Sequence, residues 1–143
     1  MSNIYQRIYS KLLTLAPELP SLKPGDYMKS TSNGFMDLNV DVLSEGKNST
    51  LIIALSHYYK HSCGDMIADP DMEIRVFRDL NVAEALSFQD AVFYHVVYPD
   101  EKHVSLLLKK SLNGFLNTWL QNCIDQGHKL HMRCDKAEET DEN

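Results

Sequence analysis

The sequence has little of what marks most familiar functions. Its three cysteines, Cys63, Cys123 and Cys134, are odd in number and far apart. That excludes the paired framework of a disulfide-stapled domain and points to a reducing compartment. Positive charge is scarce: 14 Lys and Arg stand against 20 Asp and Glu, for a net charge of −6. Bulk binding to nucleic-acid phosphates or anionic lipid needs the opposite balance, so neither is expected as a partner. Long apolar runs are missing too. Leu51 to Leu55 and Leu106 to Leu108 are far too short to cross a bilayer. Met1 to Pro17 is broken by Gln6, Arg7 and Lys11 and does not read as a signal peptide. The expected setting is therefore the cytoplasm, which makes the Asn48-Ser49-Thr50 triplet a chance match to a glycosylation site. Glycine-rich phosphate loops, a Gly-x-Ser-x-Gly elbow and a His-Glu-x-x-His pair are all absent, and no cofactor is expected.

What is present is a pattern of strands between two helices. A chain of 143 residues is long enough for one domain with a real core. Ile4, Tyr5, Ile8, Leu12 and Leu15 recur at helical spacing behind Ser2 as a cap, and Pro17 stops the run. Asp26 to Ser30 reads as a short edge strand, followed by the turn signal Asn33-Gly34. From Phe35 to Leu43 the residues alternate, with Met36, Leu38, Val40 and Val42 on one side and Asp37, Asn39 and Asp41 on a wet one. Leu51 to Tyr59 is almost continuously apolar, as a central strand would be, and His61 to Pro70 reads as a loop.

Met72 to Tyr98 reads as three more strands. A three-residue turn at Asp79 to Asn81 would put Ile74 opposite Leu86, and a two-residue turn at Gln89-Asp90 would put Glu84 opposite His95. From Ser105 to Gln126 the period becomes helical. Leu108, Leu112, Phe115, Leu116, Trp119, Leu120, Cys123 and Ile124 form a stripe, capped by Gly127 with His128 and Lys129 set against the dipole. The reading is α+β over residues 1–130: a mainly antiparallel sheet of five or six strands with both terminal helices on one face. Residues 131–143 read as an acidic, disordered tail.

Candidate chemistry is sparse. His57, His61, Cys63 and Asp65 offer nitrogen, sulfur and oxygen to a zinc-like ion, yet their spacing fits no strong template. On a strand, His57 is more simply a core residue. Cys63, between His61 and Asp65, has the neighbours that would activate a thiolate, but a small loop residue explains it as well. Cys123 lies on the apolar helix stripe and reads as core. Glu84, in an apolar row with His95 opposite, has the makings of a general acid or base, or of an ion pair that pins register. Arg78 lies diagonal to it as a second partner. Arg75 and Arg78, with Lys102, could contact an anion or a partner. Asp37, Asn39 and Asp41 are most simply a solvated face, and the Lys102, His103, Lys109, Lys110 group a solvated helix start.

The segment Pro70-Asp71-Met72-Glu73-Ile74-Arg75-Val76-Phe77-Arg78-Asp79, then Val82-Ala83-Glu84, resembles the YqiB-like family of small bacterial proteins. That family has a similar Pro-x-Met-x-Val-Arg-Leu stretch followed by Val-Ala-Glu. Phe115, Leu116, Trp119 and Leu120 match its Phe-Leu-x-x-Trp-Leu helix core, and Gly127-His128 its Gly-His close. The resemblance covers roughly residues 69–128 and does not reach the His61 to Asp65 loop. It implies a bacterial, cytoplasmic, single-domain protein and a domain of unknown function. It implies no reaction, catalytic residue or cofactor, and a shared fold would leave activity open.

The expectation that results is a non-enzymatic binding or adaptor domain acting through its sheet face, with a homodimer as one form of that pairing. Phe77, Phe93 and Val97 motivate it, because helices on one face leave them hard to bury. The alternative is a small metal-dependent hydrolase centred on His57, His61, Cys63 and Asp65, which requires those side chains to converge.

Overall fold

The computed structural model describes residues 2–60 and 66–133. Helix α1 spans Ile4–Leu15 and buries Ile8, Tyr9, Leu12 and Leu15. Asn3, not Ser2, is its N-cap: the Asn3 side chain accepts from the Gln6 N–H while the Gln6 side chain accepts from the Asn3 N–H, each at 2.9 Å. This reciprocal box satisfies two of the donors that a helix start leaves open. A 3-10 turn at Leu19–Ser21 leads to strand β1, Tyr27–Ser30.

Strands β2 (Asp37–Glu45), β3 (Thr50–Lys60) and β4 (Met66–Phe77) form the antiparallel centre of the sheet. Their inward row is Leu38, Val40, Val42, Leu51, Ile53, Leu55, Met72, Ile74 and Val76, all buried. Removing each such aliphatic side chain from water contributes roughly 1.5–3 kcal/mol. The buried side chains of both helices join this row in one core cluster. Helix α2, Leu106–Asp125, contributes Leu112, Leu116, Trp119, Leu120 and Cys123. Phe115, expected on that stripe, is exposed at its margin.

The rest of the sheet is β5 (Val82–Ala85), β6 (Ser87–Gln89), β7 (Tyr94–Val96) and β8 (His131–Arg133). The eight strands of the described residues lie in one sheet, in the order β7-β6-β4-β3-β2-β1-β8, with β5 paired to β4 beside β6. Eight replaces the expected five or six because the expected strand from Val82 to Phe88 splits into β5 and β6 and residues 131–133 add another. Those three residues pair with β1, so β1 is an inner strand and not an edge. Residues 134–143 lie outside the described residues. Of the loop expected at His61 to Pro70, Met66 to Pro70 belong to β4, and residues 61–65 lie outside the described residues.

The register of β4, β5 and β7 differs from the sequence reading. The turn is four residues, Arg78 to Asn81, closed by Phe77 opposite Val82, with Asn81 left-handed at φ 56°. Ile74 therefore meets Ala85, not Leu86. Small Ala83 and Ala85 face inward, and they let α1 and α2 close down on this strand where larger side chains would hold them off. Asp90 organises the next turn, its carboxylate accepting from the N–H groups of Val92 and Phe93 at 2.8 and 2.7 Å. That loop is longer than two residues and places His95 opposite Phe88, away from Glu84. Val97, expected to be hard to bury, sits in the core.

Candidate functional site

Two polar clusters stand out. The first is buried against α2. His57, on β3, donates from Nδ1 to the Asp37 carbonyl at 3.0 Å, since a carbonyl can only accept. Its Nε2 lone pair then faces the Cys123 sulfur at 3.9 Å. The Trp119 and His128 rings lie 5.3 and 5.9 Å from the His57 ring. His128 arrives here through the end of α2, where Gly127 (φ 84°) reverses the chain. There the Gly127 N–H bonds the Ile124 carbonyl and the His128 N–H bonds the Cys123 carbonyl. Both bonds belong to the Schellman close that a left-handed glycine permits. His128 consequently turns inward and is buried, where the sequence reading had set it against the helix dipole. Its Nδ1 meets the Ser30 hydroxyl at 2.8 Å, and that oxygen also accepts from the Lys129 N–H.

Burial decides the chemistry of this cluster. It pushes the Cys123 thiol up to about 12, so the sulfur stays protonated at neutral pH and is neither nucleophile nor ready ligand. Burial, with the neighbouring His57, holds His128 below its ordinary 6.5, although Asp37 and the Met36 carbonyl pull the other way. His128 Nε2 and Trp119 Nε1 have no hydrogen-bond partner among the described residues. The expected reading of His57 and Cys123 as core residues holds.

The second cluster sits where β5 meets the start of α2. Glu84, only 12% exposed, lies opposite Arg75 on β4, its carboxylate 3.6 Å from the guanidinium. Lys109 approaches the same carboxylate at 3.9 Å. Tyr98 links them: its hydroxyl donates to Glu84 at 2.5 Å and accepts from Lys109 at 2.9 Å. The Arg75 guanidinium also lies over the Tyr98 ring, 5.5 Å from its centre, within cation–π range. Burial, then the bond to Glu84, raises Tyr98 above its ordinary 10.0, and the bond to Tyr98 raises Lys109. Tyr98 thus stays a phenol and Lys109 an ammonium at neutral pH. The arrangement locks β4, β5 and α2 together and does not poise a proton for transfer. A cavity of about 180 Å³ beside it is lined by Asn3, Tyr5, Phe77, Val82, Ala83, Glu84 and Lys109.

The remaining candidates separate. His95 is exposed and stacks on Phe93 at 5.8 Å, so the Glu84–His95 pair does not form. Arg78 does not reach Glu84 either. It donates to the carbonyls of Ser49, Pro20 and Leu22 and to Glu45, and is 9% exposed. Four bonds from one guanidinium tie three loops and leave little for an anion. Asn39, expected on a wet face, is buried and accepts from the Tyr27 hydroxyl at 2.6 Å. His61, Cys63 and Asp65 lie outside the described residues. Among those described, no three His, Cys, Asp or Glu side chains form a group that could hold a metal, and no helix is long and apolar enough to cross a membrane.

Sequence reasoning missed Tyr98, Lys109, His128 and Asn113. Asn113 uses its carbonyl to accept the Ala85 N–H at 2.8 Å, occupying a donor on the side of β5 that, among the described residues, has no strand beside it. A polar residue in the middle of the apolar α2 stripe was the one available signal for it. Nothing local marks the others, because each depends on how the helices meet β5 and β1.

Compared with known proteins, residues 6–129 match the family model described as "Domain of unknown function (DUF6908)". No curated protein and no solved structure matches the chain.

Proposed function

We propose that this chain, which belongs to the DUF6908 family, is a protein-binding domain without chemistry of its own, acting through the outward face of its sheet. The observation that carries this is the outward row of the central strands. Buried helix side chains cluster with the inward row. Ile52, Ala54, Glu73, Arg75 and Phe77 alternate with that row and stay half-exposed. A mixed apolar and charged surface of that kind suits a partner that covers it and releases it. The described polar groups support the same reading. Cys123 is a protonated core thiol, and the Glu84 carboxylate is held by Arg75, Tyr98 and Lys109. A YqiB-like relationship and a bacterial cytoplasmic setting are compatible with this role and rest on the resemblance over residues 69–128.

The test is site-specific photocrosslinking in the native host extract. A crosslinker at Ile52 should capture a defined protein, and Ala54→Arg in the same chain should abolish the capture. A crosslinker at Lys47, in the exposed β2–β3 connection, should not capture it. Equal capture from Ile52 and Lys47, or none from either, would remove the sheet face as the working surface.

A further inference from the structure

We infer that β7 pairs antiparallel with β7 of a second copy of this chain, about a two-fold axis at His95, joining two sheets into one. This goes beyond the face reading, because it uses an edge of the sheet. Among the described residues, β7 is the last strand on its side. The Val97 N–H bonds the Leu86 carbonyl, and the Phe93 carbonyl accepts from the Asp90 N–H. Residues 93 and 97 therefore direct their backbone groups toward β6. By the alternation of an antiparallel ladder, Tyr94 and Val96 direct theirs away from it.

Edges left open in this way are usually guarded by lysine, proline or a bulge. β7 reads Tyr94-His95-Val96 and carries none of these, its three-residue length being its one guard, whereas the equally short strand at the other end of the sheet closes on Arg133. The flanks of β7 are also unusually apolar for a surface: Val92 is 78% exposed, Phe93 58%, Leu106 73% and Leu107 81%.

A second copy fits this edge because the edge is self-complementary. It has two outward residues with one between them. Antiparallel pairing of Tyr94 with Val96 of the other copy uses every outward N–H and C=O on both strands. The same two-fold sets Phe93 of one copy beside Val97 of the other. At Val97 the Ser105 N–H bonds the carbonyl, which brings the start of α2, with Leu106 and Leu107, to that point. Phe93 stacks on His95, which lies opposite Phe88, and Phe88 meets Phe115 of α2. Phe93 is thus on the helix side of the sheet, where the partner's leucines are. The contact repeats twice and closes, so association stops at two.

The experiment is sedimentation velocity of the full chain up to high micromolar concentration, with three variants. The unaltered chain should sediment as a dimer. Val96→Pro removes an outward N–H without touching the β6–β7 ladder, and should weaken association about tenfold or more. Phe93→Asp, at an exposed position, should do the same and carries the test if the proline variant fails to fold. In a chain with Cys63→Ser and Cys134→Ser, His95→Cys should form an interchain disulfide on mild oxidation, and Leu80→Cys should not. A monomer at all concentrations overturns the proposal, as does a dimer that persists in both Val96→Pro and Phe93→Asp. Binding of an unrelated extended peptide to a monomeric chain would also overturn it. Ala54→Arg, which disables the sheet face, should leave the dimer intact, so the two readings fail separately.

Discussion

At the scale of single residues, His128 is a group whose protonation the fold controls. It is 3% exposed, between Ser30, His57 and the C-terminal end of α2. Burial lowers its pKa below the ordinary 6.5. The unfolded chain therefore binds a proton that the folded chain resists, and acid favours unfolding. The stabilisation from neutral His128 is complete above the ordinary value. It is lost progressively as pH falls through that value toward the lower folded one. Thermal melts should show the midpoint falling as pH drops from about 7 to about 5, and His128→Gln should flatten that slope. An unchanged slope in the variant would place the acid sensitivity elsewhere. Arg78 makes a complementary point. As a residue type it suggests an anion contact, and only its surroundings, three loop carbonyls and Glu45, show that its donors are already used.

At the scale of elements, the two glycines of α2 act in opposite directions. Gly114 lies in the helix interior with open space where a Cβ would go, so Gly114→Ala should stabilise by about 1 kcal/mol through helix propensity. Gly127 has φ 84°, and a Cβ there would meet only the Ser32 hydroxyl at an ordinary 3.8 Å. Gly127→Ala should therefore destabilise by about 1–2 kcal/mol through backbone conformation and not through a clash. Urea melts of the two variants should bracket the parent chain. Both helices, β2 and β3 were legible from periodicity, because each buries one continuous row and the row repeats in the sequence. The register of β5 and β7 was not. Apolar matching favours Ile74 opposite Leu86, but the close approach of the helices selects Ala85, and helix spacing is invisible along a single strand. That slip put Glu84 opposite Arg75, and the longer loop after β6 separately put His95 opposite Phe88, so the candidate acid–base pair does not form.

At the scale of the molecule, a sheet seven strands wide, with β5 beside β6 on β4, has a gradient of protection built into its order. β3 is paired on both sides over most of its length and β4 within Asp71 to Phe77, while β7 and β8 close the two ends with three residues each. Of this, the central position of β3 was legible from its near-continuous apolar run. The end strands were not, since three residues carry too little pattern to separate a strand from a loop. Amide hydrogen exchange should follow the order, slowest from Leu51 to Leu55 and from Met72 to Val76, and fastest in the end strands, where local opening costs least. The two ends should then part company as protein concentration rises. Pairing of β7 with its symmetry mate encloses the Tyr94 and Val96 amides, so their exchange should slow with concentration while that of Met132 on β8 stays constant. Concentration-independent exchange at Tyr94 and Val96 would mean that both ends of the sheet are free. The proposed partner surface would then be the sheet face and not an end of the sheet.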